Sequence, residues 1–362
     1  MQMNRRLFGL SAAAATLVGT AKPSLAASAS SREFAAPRDP VLSYEGRTAD
    51  MGDNVVRLGF PGVVVRVRFH GPRLILKTTA STDNLYVDIR IDGAAPKLVH
   101  LSKRAQDLLV YDGPSGEHIA EIARRNESWE GVSDVLGAIV PNGRFLPPPT
   151  LPSKKLLFIG DSITCGAACD VARDDPREDM SIHDAQKSYG KLLATRLDAQ
   201  CHLVSCGGRG LIRDWQNIRT GINAQQFYGL AAPDEPSKPW NAASYVPDAV
   251  GIMLGTNDFN PGIPDQVEYV STFVAFVQNI QADAPHAPIF LIDSPIVTDG
   301  DLPKRTVLGD YLDQVVRQVK SPTVSHAAIK HYAGRPGNGH PIAEDHVDIA
   351  NELEPLFRKA LA

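Results

Sequence analysis

The chain has 362 residues, about the length of two ordinary domains, because a single hydrophobic core rarely grows beyond ~250 residues. Hydrophobic residues make up 43% and charged residues 22%, proportions that exclude a disordered or collagen-like chain. The formal net charge of −4, from 37 basic and 41 acidic residues, argues against a protein that coats nucleic acid or anionic lipid. The four cysteines are too few for a disulfide-dense scaffold.

Residues 1–26 have the layout of an export signal. The pair Arg5-Arg6 precedes the uncharged run 7–21 and resembles a twin-arginine signal, which exports folded proteins. The run is shorter than the ~20 apolar residues of a membrane span, so we predict cleavage near Ala26 rather than membrane anchoring. Cleavage removes three basic residues and no acidic one, which changes the net charge from −4 to −7. We therefore predict a secreted or periplasmic protein, with 27–39 as a linker.

Residues 40–149 are predicted to form an antiparallel β-sandwich of the jelly-roll type. Short segments of alternating or β-rich sequence each lie close to a Gly, Pro, Asn or Asp. The segments are 63–69, 74–77, 85–91 and 138–140, and the predicted turns between them are Asp92-Gly93, Asp112-Gly113 and Asn142-Gly143. Regularly spaced short strands of this kind are typical of all-β domains.

A proline-rich run, 147–152, marks the boundary to a second domain, predicted to cover 150–362. Its four prolines cannot continue a helix or a sheet ladder. Beyond it, apolar runs typical of strands buried on both faces alternate with amphipathic segments typical of helices. The predicted strands are 155–159, 202–204, 249–254, 289–292 and 323–329, and the predicted helices are 189–197, 267–280, 312–319 and 343–361. This alternation predicts a parallel sheet with helices on both faces.

Residues suited to acyl transfer follow the predicted strands, at the sheet edge where ligands of such domains bind. The first strand ends in Gly160-Asp161-Ser162, the second in Gly207-Gly208 and the third in Gly255-Thr256-Asn257-Asp258. His340-Pro341 follows the last strand. Acyl transfer requires a serine activated by a histidine base, together with donors aimed at the oxyanion of a tetrahedral intermediate.

Each of these residues also has a structural explanation when it is taken alone. Ser162 could cap a helix, and Gly207-Gly208 could form a tight turn. Asn257 could close an Asx turn, and His340 could be an ordinary surface histidine. Their joint order at successive strand ends favours the catalytic interpretation.

The same residues resemble the four sequence blocks of the SGNH, or GDSL-type, hydrolases. The matching positions are Gly160–Ile163, Gly208, Gly255–Asp258 and His340-Pro341. Residues 115–166, which include Arg125-Asn126-Glu127, also resemble carbohydrate esterase family 2, whose members place a β-sandwich before an SGNH domain. The resemblance implies a three-layer α/β second domain with a parallel, flavodoxin-like sheet.

The resemblance implies a role for each matching residue. Ser162 is the expected nucleophile, and its own N–H, the N–H of Gly208 and the side-chain amide of Asn257 form the expected oxyanion hole. His340 is the expected general base, because the base of this family directly precedes a proline. His346, which falls in the following helix, is the competing histidine.

The third member of the triad departs from the family pattern. SGNH enzymes usually place an aspartate two or three residues before the histidine, and here those positions hold Asn338 and Gly337. We favour orientation of the imidazole by Asn338 or by a backbone carbonyl, as in dyad-type relatives, over orientation by Asp345 or another distant acid. Trp215 is the predicted platform for a sugar ring, and Asp258 is a further candidate for substrate binding.

The cysteines all fall in the predicted second domain. A disulfide joining Cys206 to Cys165 or Cys169 and a set of buried free thiols are both open alternatives. No close-set Cys/His pairs of the zinc-finger type occur, so we predict no metal and no other cofactor.

The predicted function is that of an exported serine esterase that removes acetyl or other short acyl groups from sugar hydroxyls. Its expected partner is an acetylated polysaccharide or oligosaccharide, with no nucleic acid and no membrane. The chain has no Gly-x-Ser-x-Gly motif, which argues against an ordinary α/β-hydrolase lipase. The alternatives are an SGNH lipase or thioesterase for longer acyl chains, and a carbohydrate-binding protein whose catalysis is weakened by the missing aspartate.

Overall fold

The structure is a computed structural model that describes residues 33–362. The predicted export signal, residues 1–26, lies outside the described residues. Among residues 33–362, none of the helices combines the length and the apolar character that a membrane span requires.

The elements form two blocks, first strands alone and then strands that alternate with helices. The first block contains β1 (Phe34–Ala35), β2 (Leu42–Glu45), β3 (Ala49–Gly52), β4 (Val55–Leu58), β5 (Val64–Ala80), β6 (Leu85–Ile91), β7 (Lys97–Leu101), β8 (Gln106–Arg124), β9 (Ser133–Ile139) and β10 (Arg144–Phe145). The second contains β11 (Lys154–Gly160), α1 (Ser162–Cys165), α2 (Tyr189–Arg196), β12 (Ala199–Ser205), α3 (Ala224–Tyr228), β13 (Ala249–Met253), α4 (Thr256–Phe259), α5 (Gln266–Asp283), β14 (Ile289–Ile292), α6 (Lys304–Val319), β15 (Val324–Ala327) and α7 (Ala343–Ala360). Short 3₁₀ helices lie at Ser128–Glu130, Met180–Ile182, Ala185–Lys187 and Ala242–Ser244.

The first block folds into the predicted antiparallel β domain, in which β1 to β10 form one hydrogen-bonded network. The long strands β5 and β8 pair with each other along most of their length. The other edge of β5 pairs first with β2 and β10 and then with β9. The change of partner follows a register break between Gly71 and Arg73, where Pro72 offers no N–H to the ladder. The sandwich is therefore a single curled sheet.

Some local predictions in this domain were wrong. The segments 63–69 and 74–77 belong to one strand, β5, because the break at Pro72 is a bulge and not a turn. The pair Asp112-Gly113 lies inside β8. In contrast, Asp92-Gly93 does form a turn, with φ of 51° at Asp92. Strand β1, which pairs with β9, lies in the segment that was predicted to be a linker.

The second block contains a five-stranded parallel sheet in the order β12-β11-β13-β14-β15. This is the 2-1-3-4-5 order of flavodoxin-like sheets, as predicted. Every residue of β13 and β14 is buried, which explains why their sequences are apolar without alternation. The strand order reverses at β11, so a crevice forms where β11 and its two neighbours end. The predicted catalytic motifs follow these three strands.

The predicted helices are present, with one correction to the buried face of α5. Val270, Val277 and Ile280 are buried there, whereas Val267 is 77% exposed. Successive helical residues are about 100° apart, and this rotation moves Val267 beyond the edge of the buried face.

Buried charges join the two domains. Arg125, which follows β8, is 3% exposed, and its guanidinium lies 2.9 Å from a carboxylate oxygen of Asp88 and 3.0 Å from one of Asp184. Lys191 of α2 pairs with Glu45 of β2 at 3.0 Å. Buried carboxylates are stable only when they are paired, so these contacts fix one domain against the other.

The four cysteines are buried free thiols, and the alternative of a disulfide was wrong. Cys165 donates to Ser205 Oγ at 3.1 Å, and Cys206 accepts a contact from Ser128 Oγ at 3.7 Å. Burial raises the pKa of the Cys206 thiol to about 12, which keeps it protonated and unreactive.

Candidate active site

Ser162 lies at the turn between β11 and α1, as the first residue of the helix. Asp161 caps this helix, because its Oδ1 accepts from the N–H of Ile163 at 3.0 Å. Gly160 allows the chain to turn so tightly, since a Cβ there would lie 2.0 Å from Thr164 Oγ1. The serine is therefore held on a rigid element at the carboxyl end of the sheet.

His340 contacts Ser162 through one ring nitrogen and Asn338 through the other. The Nε2 atom lies 2.8 Å from Ser162 Oγ, and Nδ1 lies 2.6 Å from Asn338 Oδ1. The Asn338 amide also donates from Nδ2 to Glu178 Oε2 at 3.1 Å, and this contact assigns its oxygen to the histidine side. In a neutral imidazole, Nδ1–H then donates to Asn338, and Nε2 is free to accept the serine proton.

Glu178 is itself held by a buried arginine. Arg335, 2% exposed, pairs with Glu178 and donates to the carbonyl oxygens of Asp175 and Arg177 at 2.8 and 2.7 Å. The contacts form a chain from Arg335 through Glu178 and Asn338 to the imidazole. Glu178 was missed in the sequence, because it lies 160 residues before Asn338 in an irregular segment.

The environment of His340 favours the neutral form of its ring. Burial and, after it, the nearby His183 lower the pKa of His340 to about 4. The imidazole is therefore uncharged at neutral pH and able to accept a proton.

The two sequence alternatives, Asp345 and His346, do not reach this arrangement. Asp345 accepts from Arg173 at 2.6 Å and from the N–H of Ile342 at 3.1 Å, at the start of α7. His346 is fully buried, and its Nδ1 accepts from the N–H of Tyr189 at 3.2 Å. Both side chains serve the packing of α7, and neither is placed to act on Ser162.

Asn257 lies between the loop of the nucleophile and the loop that carries Gly208. Its Nδ2 donates to the carbonyl oxygen of Arg209 at 2.9 Å, and it lies 3.4 Å from Asp161 Oδ2. Arg209 follows Gly208 in the chain, and Asp161 precedes Ser162. The structure therefore brings the three predicted oxyanion residues to the ends of β11, β12 and β13.

Trp215 packs over Gly208 at the edge of the site. Gly208 has φ of 72°, and a Cβ at this position would lie 3.0 Å from Trp215 Cδ1. The N–H of Trp215 donates to the carbonyl oxygen of Gly208 at 3.1 Å, which fixes the loop. The indole is 52% exposed, so it offers an apolar face to solvent beside the predicted oxyanion hole.

Asp258, a candidate for substrate binding, does not face the site. It is fully buried, and its carboxylate accepts from the N–H groups of Leu211 and Ile212 at 2.9 Å and of Arg213 at 3.3 Å. These contacts anchor the loop that carries Gly208. Asp258 therefore stabilises the loop that carries Gly208.

Comparison with known proteins agrees with this arrangement. A family model described as carbohydrate esterase 2 N-terminal matches residues 44–149, and one for the GDSL-like lipase/acylhydrolase family matches 158–340. An acetylxylan esterase / glucomannan deacetylase of Cellvibrio japonicus (strain Ueda107) is 36% identical over 335 residues, which cover 92% of either chain. The chain belongs to the family two carbohydrate esterases.

Solved structures place this carbohydrate esterase in the same family. A family two carbohydrate esterase from Cellvibrio japonicus matches with a TM-score of 0.86 and 36% identity, over 92% of this chain and 98% of that one. A family 2 enzyme with a carbohydrate binding domain from Corynascus thermopiles matches with a TM-score of 0.77 and 26% identity, over 88% and 99%. The predictions of the family, of its two-domain fold and of a carboxylic ester hydrolase are confirmed.

Three possible metal ligands meet near the site of the esterase, in the part of the chain that the structure describes. Ligand atoms of Glu127, Glu130 and His183 lie within 4.8 Å of one another, and all three side chains are buried. His183 Nδ1 lies 2.9 Å from Glu130 Oε1, which is the distance of an ion pair. Burial and the charge of Glu130 raise the pKa of Glu127 to about 7. Burial therefore favours the protonated form of Glu127.

Asn338→Asp is expected to shift the pH dependence of the esterase. A carboxylate at Nδ1 favours the imidazolium, so it raises the pKa of His340 above the present value of about 4. As the expected general base, His340 must be neutral to act, so the acid limb of kcat/KM should move to higher pH. A profile from pH 4 to 8 with a soluble acetate ester measures the shift.

Asn338→Ala is the matched control for this shift. It removes the contact to Nδ1 without adding a charge. The loss of one hydrogen bond to the imidazolium should lower kcat by about 10- to 100-fold and leave the acid limb without an upward shift. An Asn338→Asp profile that coincides with the wild-type profile would contradict the contact between Asn338 and His340.

Proposed function

We propose that this carbohydrate esterase, after export, removes acetyl groups from polysaccharide hydroxyls through Ser162 and His340. The observation that carries the proposal is the 2.8 Å contact between Ser162 Oγ and His340 Nε2. The acetyl group and the polysaccharide are proposed from the 36% identical relative, which is an acetylxylan esterase / glucomannan deacetylase.

In the first step, Ser162 Oγ attacks the carbonyl carbon of the acetyl ester while His340 Nε2 takes its proton. The electron pair of the C=O bond moves to the oxygen, and a tetrahedral intermediate forms. The proposed donors to this oxyanion are the N–H groups of Ser162 and Gly208 and the amide of Asn257. They are fixed before the reaction, because Asn257 and Asp258 hold the Gly208 loop.

In the second step, the imidazolium of His340 donates its Nε2 proton to the leaving sugar oxygen, and the C–O bond breaks. An acetyl group remains on Ser162. Water then attacks this ester while His340 Nε2 takes one of its protons and a second tetrahedral intermediate forms. This intermediate collapses as the proton passes to Ser162 Oγ, and acetic acid leaves and ionises to acetate in solution.

The imidazolium of both steps is stabilised without an adjacent carboxylate. The Asn338 oxygen accepts from Nδ1–H, and Glu178 binds the far side of the same amide. The negative charge of Glu178 polarises the amide, so its oxygen becomes a better acceptor. Asn338 and Glu178 together replace the usual aspartate in this mechanism.

Trp215 is proposed to bind the acetylated sugar unit. Its exposed indole lies beside Gly208, so a pyranose ring stacked on it would present its ester near Ser162. A neutral glycan also suits a chain whose net charge is negative.

The choice of acyl group is tested with nitrophenyl esters from acetate to octanoate. We expect kcat/KM to be highest for acetate and to fall as the chain lengthens. A preference for octanoate over acetate would contradict the acetyl assignment and support a lipase or thioesterase. Ser162→Ala serves as the blank for spontaneous hydrolysis.

A further inference from the structure

Trp129 is an exposed aromatic residue of the N-terminal domain beside the loop that carries Gly208. It is 61% exposed, more than Trp215 at 52%. It belongs to the 3₁₀ helix Ser128–Glu130 and lines a pocket of about 180 Å³ together with Cys206, Gly207 and Arg209 of the catalytic domain. The pocket therefore spans the two domains.

The segment that carries Trp129 is firmly anchored. Its neighbours Glu127 and Glu130 are each 1% exposed. Arg124 donates to the carbonyl oxygen of Glu127 at 2.9 Å, and Asn126 Nδ2 donates to Glu130 Oε2 at 2.6 Å. The exposure of Trp129 is thus not that of a loose loop, and folding gains little from leaving a large apolar side chain in water.

The pocket begins one residue away from the proposed oxyanion hole. Gly207 lines it, and the next residue, Gly208, supplies a proposed donor. Consecutive Cα atoms lie about 3.8 Å apart, so the two positions are adjacent in space. The N-terminal domain packs directly on this loop, because a Cβ at Gly207 would lie 1.8 Å from Glu127 Oε2.

The pocket is lined by one positively and one negatively charged side chain, Arg209 and Asp234. Arg209 lies 3.6 Å from Asp214, and Asp234, which also lines the pocket, is paired with Arg57 at 2.9 Å. Paired charges can donate to and accept from hydroxyl groups, yet they exert little net attraction on a charged ligand. A flat indole with such neighbours suits a neutral sugar ring, whereas a fatty acyl chain would leave the charges without partners.

We propose that Trp129 is a second sugar platform, by which the N-terminal domain binds a neutral pyranose unit next to the acetylated unit. The inference rests on the proposed function, because it assumes a glycan at Ser162. It gives the N-terminal domain a direct part in selecting polymeric over small substrates.

Trp129→Ala tests the platform in the full-length chain. We expect KM for acetylated xylan or glucomannan to rise by about tenfold, the effect of losing one aromatic stack, with kcat unchanged. Hydrolysis of 4-nitrophenyl acetate, which is too small to reach the pocket, should stay unchanged. Trp129→Phe should restore most of the affinity. Phe34→Ala, which removes another exposed aromatic side chain of the same domain, should alter neither activity.

Two results would overturn the platform. One is an unchanged KM for the polymers, and the other is an equal loss on polymer and small ester, which would mean that Trp129 only supports the oxyanion loop. If the wild-type protein releases no acetate from any glycan, the proposed function fails independently. In that case, calorimetry measures the binding of unacetylated β-1,4-linked xylohexaose and mannohexaose to the wild-type protein and to Trp129→Ala. Weaker binding by the variant supports the platform, and equal affinity overturns it.

Discussion

Ser162→Ala and His340→Ala are each expected to lower kcat/KM for 4-nitrophenyl acetate by about 10⁴-fold or more. Oγ and Nε2 lie 2.8 Å apart, and in the proposed mechanism the attack by Ser162 and the proton transfer to His340 each require the other residue. The double variant should therefore be no less active than either single variant. Steady-state kinetics on the purified proteins measure all three.

His118→Ala is a suitable control for these losses. His118 lies in β8 of the N-terminal domain, where it pairs with Asp92, and it takes no part in the proposed chemistry. The control should keep wild-type kinetics. Losses that multiply in the double variant would show that Ser162 and His340 act independently, and this would contradict the mechanism.

Asn257→Ala is expected to lower kcat by about 100- to 1,000-fold while KM changes little. The side-chain amide is proposed to bind the oxygen only when it carries the negative charge of the tetrahedral intermediate. Its loss therefore removes stabilisation of the transition state and spares binding of the ground state. Separate determination of kcat and KM for an acetate ester measures the effect.

Asn351→Ala provides the matched control for Asn257→Ala. Asn351 lies on the exposed side of α7 and accepts from Arg196, so its removal should leave kcat and KM unchanged. A rise in KM with an unchanged kcat in Asn257→Ala would assign this residue to substrate binding. Such a result would exclude it from the oxyanion hole.

The position of the site could be predicted because parallel strands end at one edge of the sheet. Ser162, Gly208 and Asn257 each follow a strand, and the strand order around β11 places these three loops side by side. The catalytic roles themselves stay predictions, which the variants above test.

The support of the site could not be predicted in the same way. Glu178 contacts Asn338, which lies 160 residues later in the chain. The segment that carries Glu178 is irregular and has no helical or strand periodicity that could predict this contact. Asp258 was a candidate for substrate binding, because its sequence position does not reveal that its oxygens accept from the N–H groups of Leu211 and Ile212. Contacts of this kind depend on loop paths, which tertiary packing decides.

In the N-terminal domain too, the strands could be predicted from the sequence pattern, whereas the contacts made by tertiary packing could not. Its β strands were evident from their alternation, yet the bulge at Pro72 that joins two predicted segments into β5 was not. The burial of Arg125 between Asp88 and Asp184, which unites the domains, follows only from the assembled fold. So does the place of Trp129 beside Gly207.

Release of acetate from acetylated xylan and acetylated glucomannan tests the proposed function most directly. The chain without residues 1–26 and its Ser162→Ala variant are incubated with each glycan, and free acetate is measured over time. We predict steady release by the first protein and none above background by the second. Equal release by both would contradict serine catalysis, and glycan binding without any release would identify a carbohydrate-binding protein instead.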